Sequence, residues 1–363
     1  MGRVVLELAP TRAFPRHSEG AFLELADGAL LFAYTRFSGG GLDHSAAEIV
    51  CIVSRDQGRT WSRRARRLVP NESACNVMSV SLLRLQDGRV ALFYLEKNGP
   101  QDCRPVVRFS TDEGRSFSAA TRAATAPGYH VLNNDRVIQL RSGRLVLPTA
   151  LHRSRLDITD PNDWRGFDLR GICLFSLSDD GGRTWREATS WWALPVPSHN
   201  GLQEPGVVEL TDGRLFAWCR TDVGHQYGLW SSDGGETWTP PTPTVFASPC
   251  SPLSMKRDPT TGALVAVWND WSGRLPLPRP GRASAGRTPL VAAVSRDDGA
   301  TWGPPSPLEV NPERGYCYTA MHFTRDGHLL LAYCAGGEGQ CGVLDLQRLK
   351  RVPLAALLDD DRR

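Results

Sequence analysis

The chain has no Cys-x-x-Cys pair, no grouping of His, Cys, Asp and Glu at metal-ligand spacing, and no apolar run of 18 residues. Each absence closes a class of protein. The nine cysteines are odd in number and scattered, which fits reduced, mostly buried thiols better than a disulfide framework. Without a long apolar run there is no membrane-spanning helix, and the opening stretch MGRVVLELAPTR lacks the apolar core of a signal peptide. The expectation is a soluble, cytoplasmic protein with no membrane partner. Charge of one sign is also missing: 42 basic against 39 acidic residues leave a net charge of +3, so no global field points to nucleic acid. Helical periodicity of any convincing length is absent too, which leaves an all-β reading for a 363-residue chain that is 41% hydrophobic.

What the sequence does contain is repetition. SRDQGRTW at 54–61 returns as STDEGRSF at 110–117, SDDGGRTW at 178–185, SSDGGETW at 231–238 and SRDDGATW at 295–302. In each, the Asp can bond nearby backbone, the Gly can take a positive φ and the aromatic can pack beneath the turn. These boxes are structural, and their spacing of about 50 to 70 residues marks a repeat architecture. Between them runs a second repeat, an apolar strand, a turn usually written Asp-Gly, and another strand, with turn glycines at Gly28, Gly88, Gly143, Gly213, Gly262 and Gly327. One hairpin per repeat, followed by a strand entering a box, reads as a six-bladed β-propeller formed by residues 1–363 as a single domain. The segment 3–8 is expected to pair with the sixth blade and remove two exposed edges. A further strand is expected at 342–349 and a solvated tail over 352–363. Polar insertions at 153–170 and 275–286 are long loops, equally readable as ligand-site walls or surface excursions.

In a propeller the residues just before each blade's first strand crowd one mouth of the central channel. Those positions hold Arg16, Glu19, Asn134, Asp135, Arg136, Glu204, Tyr316 and Tyr318, a polar ring at the starts of apolar strands. Such convergence is the usual form of a binding or active site. Arg136 and Asp135 also read as a structural pair joining the second and third blades.

At this point the chain resembles the sialidase (neuraminidase) superfamily, whose Asp-boxes and six-bladed propeller match the pattern over essentially the whole length. The resemblance carries over residue by residue. QEPGVVELTDG places Glu204 where the family has the general base to a tyrosine, LFAWCR places Arg220 and GRTPLVAAVSRDDG places Arg287 at two of three carboxylate-binding arginines, and GGGLDHSAAEIVCIVS places Asp43 at the acid/base. The third arginine is Arg16 in PRHSEGAF, displaced by two residues from the family spacing. An even offset keeps a strand residue on one face, so Arg16 is expected to point inward. For the nucleophile GYCYTAMHFTRDG offers Tyr318, at the family distance from Gly327, or Tyr316, in a Gly-Tyr context. NNDR at 133–136 adds charge the family does not require.

The chemistry this implies is coherent. Guanidinium forks bind carboxylates bidentately, and a neutral tyrosine avoids the repulsion that an anionic nucleophile meets at an anomeric carbon bearing a carboxylate. The implied activity is a retaining exo-glycosidase that removes terminal sialic acid or a related acidic sugar from glycans, with no cofactor and no metal. A lyase acting on uronic-acid glycans and a non-catalytic glycan-binding propeller remain open beside it. Oligomeric state is not legible.

Overall fold

Strand Leu264–Asn269 is apolar at every position but its last, and the computed structural model shows the cause: Leu264, Ala266 and Trp268 face one neighbouring sheet, while Val265 and Val267 face another. A strand buried on both faces loses the polar alternation of a half-exposed one. The structure describes residues 1–157, 160, 163–338 and 342–360, and its β structure is organised in four-stranded antiparallel units. Unit one comprises Arg16–Glu24, Leu30–Phe37, Ala47–Ser54 and Arg66–Val69, and unit two comprises Asn76–Arg84, Val90–Gly99, Asp102–Ser110 and Thr121–Arg122. Unit three is Ile138–Gln139, Leu145–His152, Ile172–Ser178 and Arg186–Glu187. Unit four is Gln203–Glu209, Leu215–Arg220, His225–Ser231 and Thr242–Ala247, and unit five is Ser254–Arg257, Leu264–Asn269, Leu290–Ser295 and Ser306–Glu309. Unit six takes Cys317–Thr324, His328–Cys334 and Gln347–Pro353 from the end of the chain and Arg3–Leu8 from its start, so the expected pairing of the two chain ends is present. A short strand, Tyr129–Val131, pairs with both Asp102–Ser110 and Leu145–His152 and merges units two and three into one sheet.

Among the described residues the buried apolar side chains fall into six clusters, five shared by two successive units and one reaching from unit one through unit two to unit three, and one of the five joins unit six to unit one. The boxes explain part of this. In the first, Ser54 Oγ accepts from Gly58 N at 2.8 Å, and Asp56 accepts from Thr60 N at 2.9 Å and from Thr60 Oγ1 at 2.6 Å. The Asp thus reaches four residues on. The turn so fixed drives the box aromatic against the preceding unit: Trp185 meets Phe93 edge-on at 5.9 Å, Trp238 stacks on Phe175 at 3.9 Å and Trp302 meets Phe246 at 5.0 Å.

Two expectations at the C-terminal end change. The strand predicted at 342–349 begins only at Gln347, because the Asp345 carboxylate accepts from Gly342 N at 2.7 Å and closes a turn there. The segment expected as a solvated tail forms a helix, α1 (Leu354–Asp360), anchored by buried Leu354 and Leu357; residues 361–363 lie outside the described residues. No helix among the described residues is long and apolar enough to cross a membrane.

If the box aromatics fasten the units, Trp238→Ala should cost about 3–5 kcal/mol of unfolding free energy. Val245→Ala, at an exposed position of the same unit, should stay within about 0.5 kcal/mol. Urea unfolding measures both, and equal small effects would remove the boxes from the stability account.

Candidate active site

The first strands of units one, two, four and six open with the same irregularity. Pairing shifts register between Ser18 and Ala21, Met78 and Ser81, Gln203 and Gly206, and Cys317 and Ala320. Inside each bulge one residue is left-handed: Glu19 at φ 58°, Ser79 at 62°, Glu204 at 46° and Tyr318 at 58°. All four lie nine residues before their turn glycines, Gly28, Gly88, Gly213 and Gly327. Asp135, at φ 60°, holds a comparable place ahead of unit three. None is glycine, so each costs on the order of 1–3 kcal/mol, a strain that concentrates at functional sites. Glu19, Ser79, Glu204 and Tyr318 all line one cavity of about 680 Å³.

One wall of that cavity is a hydrogen-bonded set drawn from units four, five and six. The Tyr318 hydroxyl donates to Glu204 Oε1 at 3.1 Å, and Arg220 Nη1 donates to the same oxygen at 2.9 Å. Arg287 lies over the Tyr318 ring at 5.4 Å, and both Arg220 and Arg287 line the cavity. Burial, and after it the Glu204 carboxylate, push the Tyr318 hydroxyl well above its ordinary range, so the resting tyrosine is neutral. Glu204 Oε2 is buried with no hydrogen-bond partner, which leaves one carboxylate oxygen uncommitted beside the phenol.

Asp43 is 64% exposed yet lines the same cavity. Its carboxylate takes Arg16 Nη1 at 2.6 Å, and its carbonyl takes Lys97 Nζ at 2.7 Å and Asn76 Nδ2 at 2.8 Å. Desolvation works against the charge, but Arg16 and then Lys97 outweigh it and hold the Asp43 carboxyl at about 2. Glu19 is shifted the other way: burial raises it, against the opposing pull of Arg16, to which it is bonded at 3.0 Å. Environment has thus driven the two neighbouring carboxyls apart.

Arg16 does point inward, but it does not line the cavity. Its Nε, Nη1 and Nη2 are taken by Ser18, Asp43 with the Gly41 carbonyl, and Glu19, and its guanidinium lies over Phe37 at 4.3 Å. Tyr316, the alternative nucleophile, is buried in the core edge-on to Tyr333 at 6.1 Å, away from the cavity. Asn134, Asp135 and Arg136 are corrected likewise. Asn134 Nδ2 donates to the carbonyls of Gly20 and Tyr318 at 2.7 and 3.2 Å. Asp135 accepts from Lys256 Nζ at 2.7 Å and Met321 N at 2.9 Å, and Arg136 donates to the Leu253 carbonyl at 2.6 Å. These groups face other units, and the neighbour that does line the cavity is Asn133.

Sequence reasoning missed Lys97, Tyr129, His152, Trp164, Phe167, Asn200 and Gln203, which also line the cavity. Lys97 had a signal, a lysine close behind six successive apolar or aromatic residues in one strand, Val90–Gly99. Trp164 and Phe167 come from the 153–170 insertion, which thereby takes the ligand-wall reading; the 275–286 insertion contributes no lining residue. Tyr129, Trp164, Phe167 and His152 pack ring to ring, with Tyr129 and Phe167 at 4.9 Å, and give the cavity an aromatic wall beside its charged one. Burial lowers the His152 imidazole, leaving it neutral. No grouping of metal-ligating side chains occurs among the described residues.

The all-β chain has the fold of the sialidases, as its likeness to solved structures shows. The intramolecular trans-sialidase from Ruminococcus gnavus, in complex with oseltamivir carboxylate, superposes with a TM-score of 0.70 at 15% identity over 98% of each chain. The NanB sialidase of Streptococcus pneumoniae gives 0.71 at 14% identity over 98% of this chain and 71% of that one. A Dyadobacter fermentans protein of unknown function gives 0.72 at 17% identity over 96% and 98%. A comparison with curated protein sequences finds no match. The sequence profile of the BNR repeat-like domain matches residues 28–331. The chain belongs to that family.

The Arg16–Asp43 pair carries a pH signature. A depressed carboxyl contributes its stability fully above its ordinary value, near pH 4, and loses it as pH falls through about 2. The gap in melting temperature between wild type and Asp43→Asn should therefore narrow between about pH 5 and pH 2. A gap that stays constant over that range would show that the ion pair adds nothing.

Proposed function

We propose that the chain is a retaining exo-glycosidase of the sialidase type, built on a six-bladed β-propeller, that hydrolyses terminal sialic acid or a related acidic sugar. The reading is carried by the Tyr318–Glu204 hydrogen bond at 3.1 Å beside cavity-lining Arg220 and Arg287. The arginines take the sugar carboxylate and fix the anomeric carbon against Tyr318. As the Tyr318 oxygen bonds that carbon, its proton passes to Glu204, and the glycosidic oxygen leaves with a proton from Asp43. Water then gives a proton to Asp43 and attacks the glycosyl–tyrosine bond, Tyr318 recovers its proton from Glu204, and the product keeps its configuration.

Asp43 must first gain a proton that Arg16 and Lys97 discourage in the empty site. The substrate supplies the remedy. A bound sugar carboxylate adds a like charge to the cavity and opposes the cations' field, which raises the proton affinity of Asp43. The aromatic wall of Tyr129, Trp164 and Phe167 removes water from the same space and acts in the same direction. The fold shared with sialidases supports this reading, and the side chains give it its chemistry.

A fluorogenic sialoside tests it. Wild type should release the fluorophore, and Tyr318→Phe and Glu204→Gln should each lose about 10² to 10⁴-fold in kcat. Absence of release, with an unsaturated product formed from a uronate oligosaccharide, would replace hydrolysis by elimination. Glycan binding with neither reaction would make the chain a binding propeller.

A further inference from the structure

The arginines near the cavity differ in how their donors are spent. Arg16 has Nε, Nη1 and Nη2 all engaged, two of them on carboxylates. A guanidinium has five N–H groups in a rigid fork, and one saturated by its own protein has no edge left for a ligand. Arg287 is different. Its Nη1 donates to the sulfur of Cys317 at 2.9 Å, and among the described residues no carboxylate lies within ion-pair distance of it. Arg220 spends Nη1 on Glu204 and Nε on the sulfur of Cys250, at 3.2 Å. Both arginines that line the cavity are therefore held by a sulfur, and each keeps N–H groups uncommitted.

We propose that Cys317 and Cys250 are positioning residues that hold Arg287 and Arg220 with their free edges toward the cavity, and that anion capture in this chain is a two-arginine grip braced by sulfur. The inference rests on the acidic-sugar reading for its substrate, but not for the contacts themselves. A carboxylate in place of either sulfur can pair bidentately with a guanidinium and close its fork, and at Arg16 two carboxylates, Asp43 and Glu19, already occupy one N–H each. A sulfur engages a single N–H. It orients the guanidinium and leaves the rest for the ligand.

Cys317 is suited to the part by its surroundings. It is buried, precedes Tyr318 in the chain and is the cross-strand partner of Cys334, whose thiol hydrogen-bonds to it. The groups that face its sulfur are Cys334, Arg287 and the Glu204 carboxylate. Burial pushes this thiol up, while the Cys334 hydrogen bond and Arg287 bring it down to about 7, so a thiolate is within reach near neutrality, and a thiolate accepts far better than a thiol. Cys250 sits at a half-buried position, where its sulfur also takes Asn200 Nδ2 at 3.4 Å.

Two readouts test this on the full chain under reductant. Thiolate absorbance at about pH 8 should be lower in Cys317→Ser than in wild type, and the difference should vanish in Arg287→Met; equal absorbance in wild type and Cys317→Ser, or an excess that survives in Arg287→Met, overturns the Cys317–Arg287 contact. Calorimetric binding of N-acetylneuraminic acid and of glucuronic acid should weaken about tenfold in Cys317→Ala and in Cys250→Ala, with serine restoring part of the loss. On a sialoside the same variants should raise KM about tenfold while kcat changes less than about threefold. A fall in kcat with KM and binding unchanged overturns the positioning role. If wild type binds neither acid, the acidic-sugar reading fails, and the absorbance measurement still decides the contact.

Discussion

Three consecutive residues ahead of unit three, Asn134, Asp135 and Arg136, tie the strand starts of the molecule to one another. Asn134 reaches units one and six, Asp135 reaches units five and six through Lys256 and Met321, and Arg136 reaches unit five through Leu253 and Ser254. The Asp135 and Arg136 amides complete the knot, bonding Val80 and Ser81 of unit two. The bonded groups are buried, and leaving one unpaired costs about 1–3 kcal/mol, a cost that Asn134 Oδ1 and Arg136 Nε, buried without a partner, already carry. Satisfying them requires the first strands of several units to start at matched heights. The cavity inherits that alignment, because the bulged residues Glu19, Ser79, Glu204 and Tyr318 occupy the strand starts so aligned. The box turns act at the other end of the strands, where Trp185, Trp238 and Trp302 press each unit on its predecessor. Stability and site geometry thus share a cause near the strand starts and separate near the boxes.

The electrostatics of the cavity follow from which charges are already paired. Arg16 spends its donors within the protein and helps hold Asp43 ionised, while burial raises Glu19 against the pull of Arg16. Arg220 and Arg287 are braced but unsaturated, and Tyr318 is neutral because burial and Glu204 both oppose its ionisation. Arg220 and Arg287 form a cationic wall of the cavity and Lys97 lines it as well, while Asp43 lines the same cavity with its backbone clamped by Lys97 and Asn76. The rings of Tyr129, Trp164 and Phe167 add an apolar face to it.

Much of this was readable in the sequence because two short-range rules repeat. Asp-Gly turns and boxes are local chemistry, and they locate the strand starts where Glu204 and Tyr318 stand. The roles of these two residues, and Arg220 and Arg287 altogether, came with the family resemblance and not with any local rule. The failures share a different origin. The even offset does put Arg16 on the inward face, but strand parity says nothing of the partners that take up its donors there, Ser18, Asp43 and Glu19. NNDR looked like substrate chemistry because charge at a strand start is uncommon, yet its partners come from segments more than a hundred positions away, such as Leu253 and Met321. Tyr316 and Tyr318 are separated by a single residue, and only the left-handed turn of the backbone at Tyr318 sends one to the cavity and leaves the other in the core. Contacts to sulfur from Arg220 and Arg287 link residues 30 positions apart, a pairing no local pattern announces.

The bulges have a consequence for how such a protein changes over generations. Each presents one side chain at the cavity from the same backbone turn, and the strands behind it are held by other residues. An exchange of side chain at Glu19, Ser79, Glu204 or Tyr318 therefore alters what the cavity can grip or react with while the framework keeps its shape. A site assembled from interchangeable sockets lets selection explore new substrates one socket at a time.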